Sequence, residues 1–315
     1  MVRIQGVKDS TPDRVRAACA WVAVRARTVE IDQERIEGYA AELSAAASLS
    51  PDPATNFAEG DREARVAFVV CLDAINFGSG WWPTIRRRSG LSGYSTIAAG
   101  VTERFRAAGG WPAAELTQLE AATIAAVVGQ DPEHPLMGQY AAALRDVGER
   151  VLGEHGGSFE ALIEAASGSA LALADLLAGW DAFADTSEYE GHPVPFFKRA
   201  QIAAADVNRL GVASLSGEER LTAFADNLVP HVLRVDGVLR LDSELAAMID
   251  AENLLEHGSP EEIELRACAV HAIELLSCAS PEHLSPAEID ATLWHRGASS
   301  RYKSVPRPRS RSSAY

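Results

Sequence analysis

Apolar residues recur every three or four positions along most of the chain, and this spacing predicts amphipathic α-helices. A helix-start signal comes early, since Ser10-Thr11-Pro12-Asp13 combines a capping residue, a proline and an acidic first turn. A second amphipathic stretch covers residues 32–47, and the prolines of Pro51-Asp52-Pro53 end it. Residues 62–75 are apolar on most sides, which predicts a buried helix.

The helical rhythm continues to the last part of the chain. Further helices are predicted at 94–109, 113–128, 134–153, 158–178, 195–210, 217–227, 229–235, 242–255, 260–279 and 286–294. Residues 238–240 are the one place that suggests a short strand, and the last twenty residues, rich in Pro, Arg and Ser, predict an extended tail. The pattern therefore predicts a compact all-α fold with short irregular loops and an extended C-terminal tail. We expect a single domain over residues 1–315, with the N-terminal helices of 1–60 packed on it and the tail of 295–315 contributing to the site.

The charge balance narrows the classes of function. A net charge of −15 over 315 residues argues against binding of duplex nucleic acid, which needs a basic face. No apolar run approaches the roughly 20 residues that span a bilayer, and the N-terminus lacks the pattern of a signal peptide. The four cysteines lie far apart among mostly apolar neighbours. We therefore expect a cytoplasmic protein with reduced thiols.

Familiar metal and cofactor motifs are missing from the sequence. It contains no HExxH, no Cys/His cluster, no GxGxxG, no GxxxxGK[ST] and no GxSxG. The prediction is an enzyme without metal or cofactor, in which carboxylates do the chemistry.

Two charged residues stand in unusually apolar surroundings. Lys198, one of three lysines, follows two phenylalanines, and Asp226 lies in the segment Leu221-Thr222-Ala223-Phe224-Ala225-Asp226-Asn227-Leu228-Val229-Pro230. Buried charges without partners are costly, so these two predict an enclosed site for a charged substrate. Lys198 is a candidate phosphate ligand near a helix N-terminus, or else a surface lysine. Asp226 is a candidate catalytic carboxylate, or else a helix cap or an ion-pair partner of Arg234.

A loop over residues 76–94 interleaves glycines with aromatic side chains. Asn76, Phe77 and Trp81 are candidates for a polar clamp and stacking platform for a planar base. The alternative is a hydrophobic cluster beneath a long loop.

Basic islands also stand out in this acidic chain, namely Arg86-Arg87-Arg88 and the tail residues Arg301, Lys303, Arg307, Arg309 and Arg311. Such islands suit a small phosphorylated ligand, and their alternative is solvated surface arginines.

Several segments occur in an order that resembles a known family. They are Leu72-Asp73-Ala74-Ile75-Asn76-Phe77, Ser92-Gly93-Tyr94, Phe197-Lys198-Arg199-Ala200-Gln201-Ile202, the segment from Phe224 to Leu233, Glu262-Ile263-Glu264-Leu265-Arg266-Ala267, Ile289-Asp290 with Leu293-Trp294, and the closing Tyr315. In order and spacing they resemble the queuosine salvage protein family, the queuosine 5′-phosphate N-glycosylase/hydrolases. The likeness extends from about residue 60 to residue 315.

The resemblance implies a helical fold related to DNA glycosylases. It also implies hydrolysis of the N-glycosidic bond of queuosine 5′-monophosphate to queuine and ribose 5-phosphate, with the queuine reused for tRNA modification. Asp226 is then the catalytic residue, facing the oxocarbenium character that develops on the ribose. The expected substrate-binding residues are Asn76, Phe77, Trp81, Tyr94, Asp185, Lys198, Gln201, His231, Arg266 and Tyr315.

The resemblance also divides these residues among the parts of the substrate. Asn76, Phe77 and Trp81 would hold the base, and Asp185 the secondary ammonium or the cyclopentene diol of its side group. Lys198, with Tyr315 or a tail arginine, would hold the 5′-phosphate.

The chain departs from the family pattern at three places. Asn227-Leu228 stands where the family commonly has Tyr-Arg, Pro230-His231 where it has Pro-Gln, and Pro308 where a His is frequent. Two other functions remain open at this point, a repair-type glycosylase acting on polymeric DNA and a non-catalytic helical scaffold that binds a nucleobase or a protein. The acidic net charge argues against the first, and the second predicts that Asp226 tolerates substitution.

Overall fold

The computed structural model describes residues 9–44 and 51–315, and it is mostly helical. Fifteen α-helices lie within these residues: α1 Thr11–Ala23, α2 Gln33–Glu42, α3 Arg62–Ala74, α4 Gly93–Ala108, α5 Ala113–Leu116, α6 Ala121–Val128, α7 Pro135–His155, α8 Phe159–Ala165, α9 Ala170–Leu177, α10 Lys198–Arg209, α11 Leu228–Val235, α12 Ser243–Asp250, α13 Pro260–Ala279, α14 Pro286–Arg296 and α15 Ser300–Lys303. The prediction of a mainly helical protein is confirmed.

Four short strands form two small antiparallel pairs in the described part of the chain. β1 (Val29–Ile31) pairs with β4 (Leu239–Leu241), which confirms the strand suggested near residues 238–240. β2 (Thr186–Tyr189) and β3 (His192–Pro195) form a hairpin between two of the predicted helices, where no strand was predicted.

Three helices occupy the middle of the packing and carry the charged residues of the site. In α3 every residue from Val66 to Ala74 is buried, and this helix packs on α4, α7, α8 and α10. α13 is buried on most sides, between α1, α2, α11 and α14. α10 packs on α3 and α9. Charged side chains on such inner helices must find partners or face a cavity, because burying them alone is costly.

Helix boundaries differ from the prediction where the backbone turns for non-local reasons. The predicted helix over 158–178 is two helices, because Ser167 and Gly168 both adopt positive φ, at 51° and 74°, and interrupt the hydrogen-bond ladder. The stretch 113–128 is likewise divided between α5 and α6. The helix predicted over 32–47 ends at Glu42, and its last predicted residues lie outside the described ones.

The largest error concerns residues 217–227, which do not form the predicted α-helix. Only Glu218–Arg220 make a 3₁₀ turn, and the chain then runs without regular structure to the start of α11. Thr222 is fixed in this segment by Gln201 of α10, whose side-chain oxygen accepts from the Thr222 backbone N–H at 3.0 Å. A tertiary contact therefore holds the backbone that precedes Asp226. Among the residues the structure describes, no helix is long and apolar enough to cross a membrane.

Candidate active site

The site lies where the C-terminal end of α3, the beginnings of α10 and α11, and the first half of α13 come together. These helices carry Asp73, Lys198 and Arg266, and Asp226 lies two residues before α11. The segment that precedes α11 and the C-terminal tail complete the walls. Most of the predicted site residues are thus in one region, although their roles differ.

Asp226 stands at the N-terminus of α11 with one oxygen engaged. Its Oδ1 accepts from the backbone N–H groups of Leu228 at 2.8 Å and Val229 at 3.0 Å. Pro230 lies in the first helical turn, where a missing N–H costs no hydrogen bond, so the proline begins the helix after the aspartate. No hydrogen bond from the described residues reaches Oδ2. The half-buried carboxylate is therefore oriented by the helix end and keeps one oxygen available.

The two alternatives for Asp226 have different outcomes. The helix-cap interpretation is confirmed for Oδ1, and it does not use Oδ2. The ion pair with Arg234 is absent among the described contacts, since Arg234 binds Asp250 at 2.7 Å instead. A cap and a catalytic carboxylate are compatible because the two oxygens are separate.

Lys198 begins α10 and points its ammonium group toward the end of α3. Nζ donates to the backbone oxygen of Asn76 at 3.0 Å and lies 3.4 Å from Asn76 Oδ1. Asn76 Nδ2 in turn donates to Asp73 Oδ1 at 3.3 Å. Burial lowers the pKa of Lys198, and the nearby negative charge of Asp226 opposes this. The lysine and the aspartate that the sequence singled out are therefore neighbours.

Asp185 holds the start of α10 in place. Its Oδ2 accepts from the backbone N–H of Lys198 at 3.1 Å, and its backbone oxygen accepts from Phe196 at 2.9 Å. Phe197, immediately before α10, has φ of 47°, a left-handed conformation that is strained for a bulky residue. The strain is maintained by these contacts, and it sets the direction of the lysine side chain.

Arg266 of α13 is the partner of Asp185. Its Nη2 lies 2.9 and 2.7 Å from the two carboxylate oxygens, and both side chains are about 1% exposed. The guanidinium is stacked between the rings of Phe196, at 3.9 Å, and Tyr315, at 4.4 Å. Its Nε donates to the backbone oxygen of Ala225 at 3.1 Å. Arg266 therefore ties the residue before Asp226 to α13.

A small cavity lies beside these groups. It has a volume of about 10 Å³, roughly what one water molecule requires. The lining residues come from α11 and the residues just before it, the loop between α12 and α13, α13 and the tail: Asp226, Asn227, Pro230, Leu255, Glu262, Leu265, Arg266, Pro308, Arg309 and Tyr315. Glu262 Oε1 and Arg266 Nη1, 3.6 Å apart, are buried here without a hydrogen-bond partner in the described structure. The wall is therefore polar.

Asp290 of α14 is a site residue that the sequence reasoning did not assign. Its Oδ1 accepts from the backbone N–H of Phe224 at 2.9 Å, two residues before Asp226. Burial raises the pKa of Asp290 well above the ordinary value, and the charge of Asp226 raises it further. One sequence signal pointed to this residue: Asp290 is a carboxylate on the apolar face of a helix, beside Ile289 and Leu293, which are also buried. The site thus contains a second carboxyl group whose charge state is coupled to the charge of Asp226.

The predicted aromatic platform is in the core and not open to a ligand. Phe77 is 2% exposed, with the guanidinium of Arg199 4.9 Å from its ring centre and Tyr140 packed edge-on at 5.0 Å. Trp81 is also buried. These contacts fit the hydrophobic-cluster alternative for both rings. Tyr94 lies beside Asp73. Burial raises the pKa of the Tyr94 phenol, and the negative charge of Asp73 raises it further.

Gln201 and His231 contact protein groups on either side of the site. The Gln201 amide lies between Phe196 and Thr222, donating to the Phe196 carbonyl oxygen at 3.1 Å. His231 Nε2 lies 2.9 Å from the backbone oxygen of Tyr302 in α15. Both side chains therefore position the segments around Asp226.

The C-terminal tail is held against the site by its backbone. Asn227 Nδ2 donates to the Pro308 carbonyl oxygen at 3.0 Å, and the N–H of Gly78 donates to the Tyr315 carbonyl oxygen at 3.0 Å. A Cβ at Gly80 would lie 2.3 Å from the Ser310 oxygen, so only glycine permits this approach. Tyr315 is buried and lines the cavity beside Asp226.

Within residues 9–44 and 51–315, no group of three or more His, Cys, Asp and Glu side chains is arranged to hold a metal ion. The polar groups near Asp226 are carboxylates, cations and amides. The chemistry they offer is charge stabilisation and proton transfer.

Comparison with known proteins agrees with the geometry. Residues 56–315 match the family model described as queuosine salvage protein. The queuosine 5′-phosphate N-glycosylase/hydrolase of Sphaerobacter thermophilus is 34% identical over 88% of this chain and 90% of its own length. Proteins with the same name from Dictyostelium discoideum and Bos taurus are each 28% identical, covering 90% and 77% of this chain and 92% and 72% of their own lengths. The chain therefore belongs to the queuosine salvage protein family.

Proposed function

We propose that this protein hydrolyses the N-glycosidic bond of queuosine 5′-monophosphate, releasing queuine and ribose 5-phosphate. The family membership and the names of the relatives support this activity. The single observation that carries the mechanism is the carboxylate of Asp226, oriented through Oδ1 with Oδ2 left free.

Asp226 meets the electrostatic need of the reaction. Breaking the bond between C1′ and the base develops positive charge on the ribose ring, which a carboxylate at C1′ stabilises. Because Oδ1 is fixed by two backbone N–H groups, the carboxylate needs no reorientation during the reaction. Water supplies the hydroxyl group at C1′, and the departing base takes up a proton.

Asp290 is our candidate for the group that assists the base. Burial and the charge of Asp226 raise its pKa, so it retains a proton to a higher pH than an ordinary aspartate. One ionised and one protonated carboxyl group is the pairing that glycoside hydrolysis uses. We assign the anionic role to Asp226 and the hydrogen-bond donor role, toward the leaving base, to Asp290.

Lys198 is assigned to the phosphorylated half of the substrate. Its buried ammonium group is close enough to Asp226 for the two charges to interact, yet its hydrogen bonds go to the uncharged Asn76. The ammonium thus has no tight carboxylate partner among the described residues. It keeps its attraction for an anionic ligand.

Asp185, Gln201 and Arg266 act in this proposal as positioning residues. Arg266 lies against both carboxylate oxygens of Asp185, and Gln201 is fully buried against Thr222. They fix the segment around residues 222–226 and the start of α10. Binding of the cationic side group by Asp185 remains a prediction from the family resemblance. The likeness to DNA glycosylases, the cytoplasmic location and the single domain over residues 1–315 also remain predictions.

The direct test is incubation of the purified protein with queuosine, queuosine 5′-monophosphate and ordinary nucleotides, followed by chromatographic identification of products. We expect queuine and ribose 5-phosphate from queuosine 5′-monophosphate, and no base release from AMP or GMP. Failure to release queuine from either queuosine compound would remove the proposed function. Release of ordinary bases at a similar rate would remove the substrate assignment.

A further inference from the structure

Two buried ionic side chains line the small cavity beside Asp226, and each has one atom without a partner. Glu262 Oε1 and Arg266 Nη1 lie 3.6 Å apart, and their side chains are only 2% and 1% exposed. Neither atom forms a hydrogen bond with any described residue. Buried polar atoms are nearly always satisfied in folded proteins, because leaving them unpaired is costly. These two atoms therefore call for a partner that the described residues do not supply.

The other atoms of both side chains are already engaged. Glu262 Oε2 accepts from the backbone N–H of Gly258 at 3.1 Å. Arg266 uses Nη2 for Asp185 and Nε for the backbone oxygen of Ala225. Each side chain is thus held in a single orientation. One acceptor and one donor remain, side by side, at the wall of the cavity.

The cavity has the size and the polar groups that one water molecule requires. Its volume is about 10 Å³, and its wall includes Asp226 together with Glu262 and Arg266. A water placed there can accept from Arg266 Nη1 and donate to Glu262 Oε1, which satisfies both buried atoms. Its second hydrogen can be donated to Asp226, whose Oδ2 receives no hydrogen bond from the described residues. Three polar partners are typical of an ordered buried water.

Glu262 has the charge state of a proton acceptor. Burial alone raises the pKa of its carboxyl group, but the nearby His257 and the charge of Arg266 outweigh burial and lower the pKa. His257 Nδ1 lies 3.6 Å from Glu262 Oε1, beyond hydrogen-bond distance. Glu262 is therefore an anion at neutral pH, with the unpartnered oxygen on the cavity side.

We propose that this cavity seats the hydrolytic water, and that Glu262 holds this water against Asp226 and accepts its proton. The inference rests on the proposed function and adds a catalytic residue to it. As the bond between C1′ and the base breaks, its electron pair leaves with the base, which takes up a proton. The water oxygen forms the new bond to C1′, and one proton of that water passes to Glu262 and then to solvent. Arg266 donates to the water and positions it.

A seat of this size selects the nucleophile. The apolar part of the wall includes Pro230 and Leu265, and Leu265 is 3% exposed, so little space is left for a methyl group. In free solution an oxocarbenium ion reacts with water and methanol at comparable rates. Water taken from bulk solvent would therefore allow methanol to compete in proportion to its mole fraction. A seated water would not.

The first test uses the wild-type protein in buffered aqueous methanol with queuosine 5′-monophosphate as substrate. Mass spectrometry measures the ratio of methyl riboside 5-phosphate to ribose 5-phosphate. We expect the methyl product about tenfold or more below the mole fraction of methanol, because an extra methyl group in a closely packed pocket is discriminated by at least that factor. Leu265→Ala enlarges the seat and should raise the methyl fraction. Leu276→Ala removes a buried leucine of the same helix away from the cavity and should keep the wild-type ratio.

The second test concerns Glu262 itself. Glu262→Gln keeps the size of the side chain but removes the proton acceptor, so kcat should fall about 100-fold, as expected for the loss of a general base. The methyl fraction should stay low, and the dissociation constant of queuine should change little. The matched control is Glu261→Gln in the same helical turn, since the Glu261 side chain makes no hydrogen bond or ion pair with any described residue. It should retain wild-type kcat.

The outcomes separate this inference from the proposed function. Release of queuine with methyl product at the mole fraction of methanol overturns the seated water and leaves the proposed function standing. A folded Glu262→Gln that turns over within tenfold of wild type overturns the role of Glu262. A wild-type protein that releases no queuine overturns both proposals. Unfolding midpoints identify variants that do not fold, and the wild-type methanol assay decides the question of the seat without any variant.

Discussion

The carboxylate of Asp226 provides the sharpest test of how this protein works. In Asp226→Asn the remaining Oδ1 can still accept from the N–H groups of Leu228 and Val229, since asparagine caps helices about as well as aspartate. The structure around α11 should therefore persist. What disappears is the negative charge at the oxygen that has no hydrogen bond.

The magnitude follows from the environment of the carboxylate. Asp226 is half-buried, so an effective dielectric constant of about 20 is appropriate, and a charge at roughly 4 Å is then worth about 4 kcal/mol. Each 1.4 kcal/mol or so of barrier is tenfold in rate. We expect kcat to fall about 1000-fold while the dissociation constant of queuosine 5′-monophosphate changes little.

The matched control is Asp242→Asn. Asp242 caps α12, accepting from the Leu245 N–H at 2.7 Å, and it is exposed and outside the site. Queuine released from queuosine 5′-monophosphate is quantified by chromatography for both variants, with unfolding midpoints measured in parallel. Asp242→Asn should retain wild-type turnover. A folded Asp226→Asn that turns over within tenfold of wild type refutes the electrostatic argument and shows that the reaction does not depend on this carboxylate.

Three further predictions concern the surroundings of the carboxylate. Lys198→Ala should lower kcat/KM for the nucleotide about tenfold more than for the nucleoside, because we assign its ammonium to the phosphorylated half; equal losses in both assays place Lys198 elsewhere. Burial raises the pKa of Asp73, so the folded protein retains a proton that the unfolded chain releases above about pH 4. The unfolding free energy of wild type should therefore fall as pH rises from about 4 toward the raised pKa of Asp73. Over the same pH range Asp73→Asn should become more stable relative to wild type. If urea titrations from about pH 4 to 7 show a constant difference in unfolding free energy between the two proteins, this prediction is contradicted. Gly80→Ala places a Cβ 2.3 Å from the Ser310 oxygen and should loosen the tail, destabilising the protein by about 1–3 kcal/mol and reducing activity. The control is Gly138→Ala in α7, where the added Cβ meets no atom within 4 Å and the substitution should be neutral or stabilising. If proteolysis cleaves the tail equally fast in both variants, the contact between Gly80 and the tail is not what holds the tail.

The helices could be predicted wherever the signals that define them are local. α13 and α14 begin at Ser-Pro pairs in which the serine caps the helix and the proline occupies the first turn. The predicted ranges 260–279 and 286–294 are accordingly close to the observed Pro260–Ala279 and Pro286–Arg296. Capping and periodicity need only neighbouring residues, so the sequence contains them in full.

The segments that were predicted wrongly are held by distant partners. Residues 217–227 have helix-forming composition, yet Gln201 fixes Thr222 and Asp290 binds the Phe224 N–H from another helix. Such contacts override local propensity, and a single sequence does not reveal them. The same cause explains the site itself. Lys198 and Asp226 could be identified as unusual charges, whereas the inward position of Asp290 depends on how α14 packs.

The arrangement of charges explains why Asp226 remains available to a substrate. Two cations near it are committed elsewhere, Arg266 to Asp185 and Lys198 to the carbonyl of Asn76. A tight ion pair with any of them would neutralise the carboxylate and oppose catalysis. Unpaired charges in partly desolvated surroundings are unfavourable, so the folded state stores free energy at this site. The substrate supplies the missing partners at both ends. Its phosphate pairs with the cations of the site, and its ribose, which becomes cationic, pairs with Asp226. The stored free energy is therefore released most fully in the transition state, which is where it accelerates the reaction.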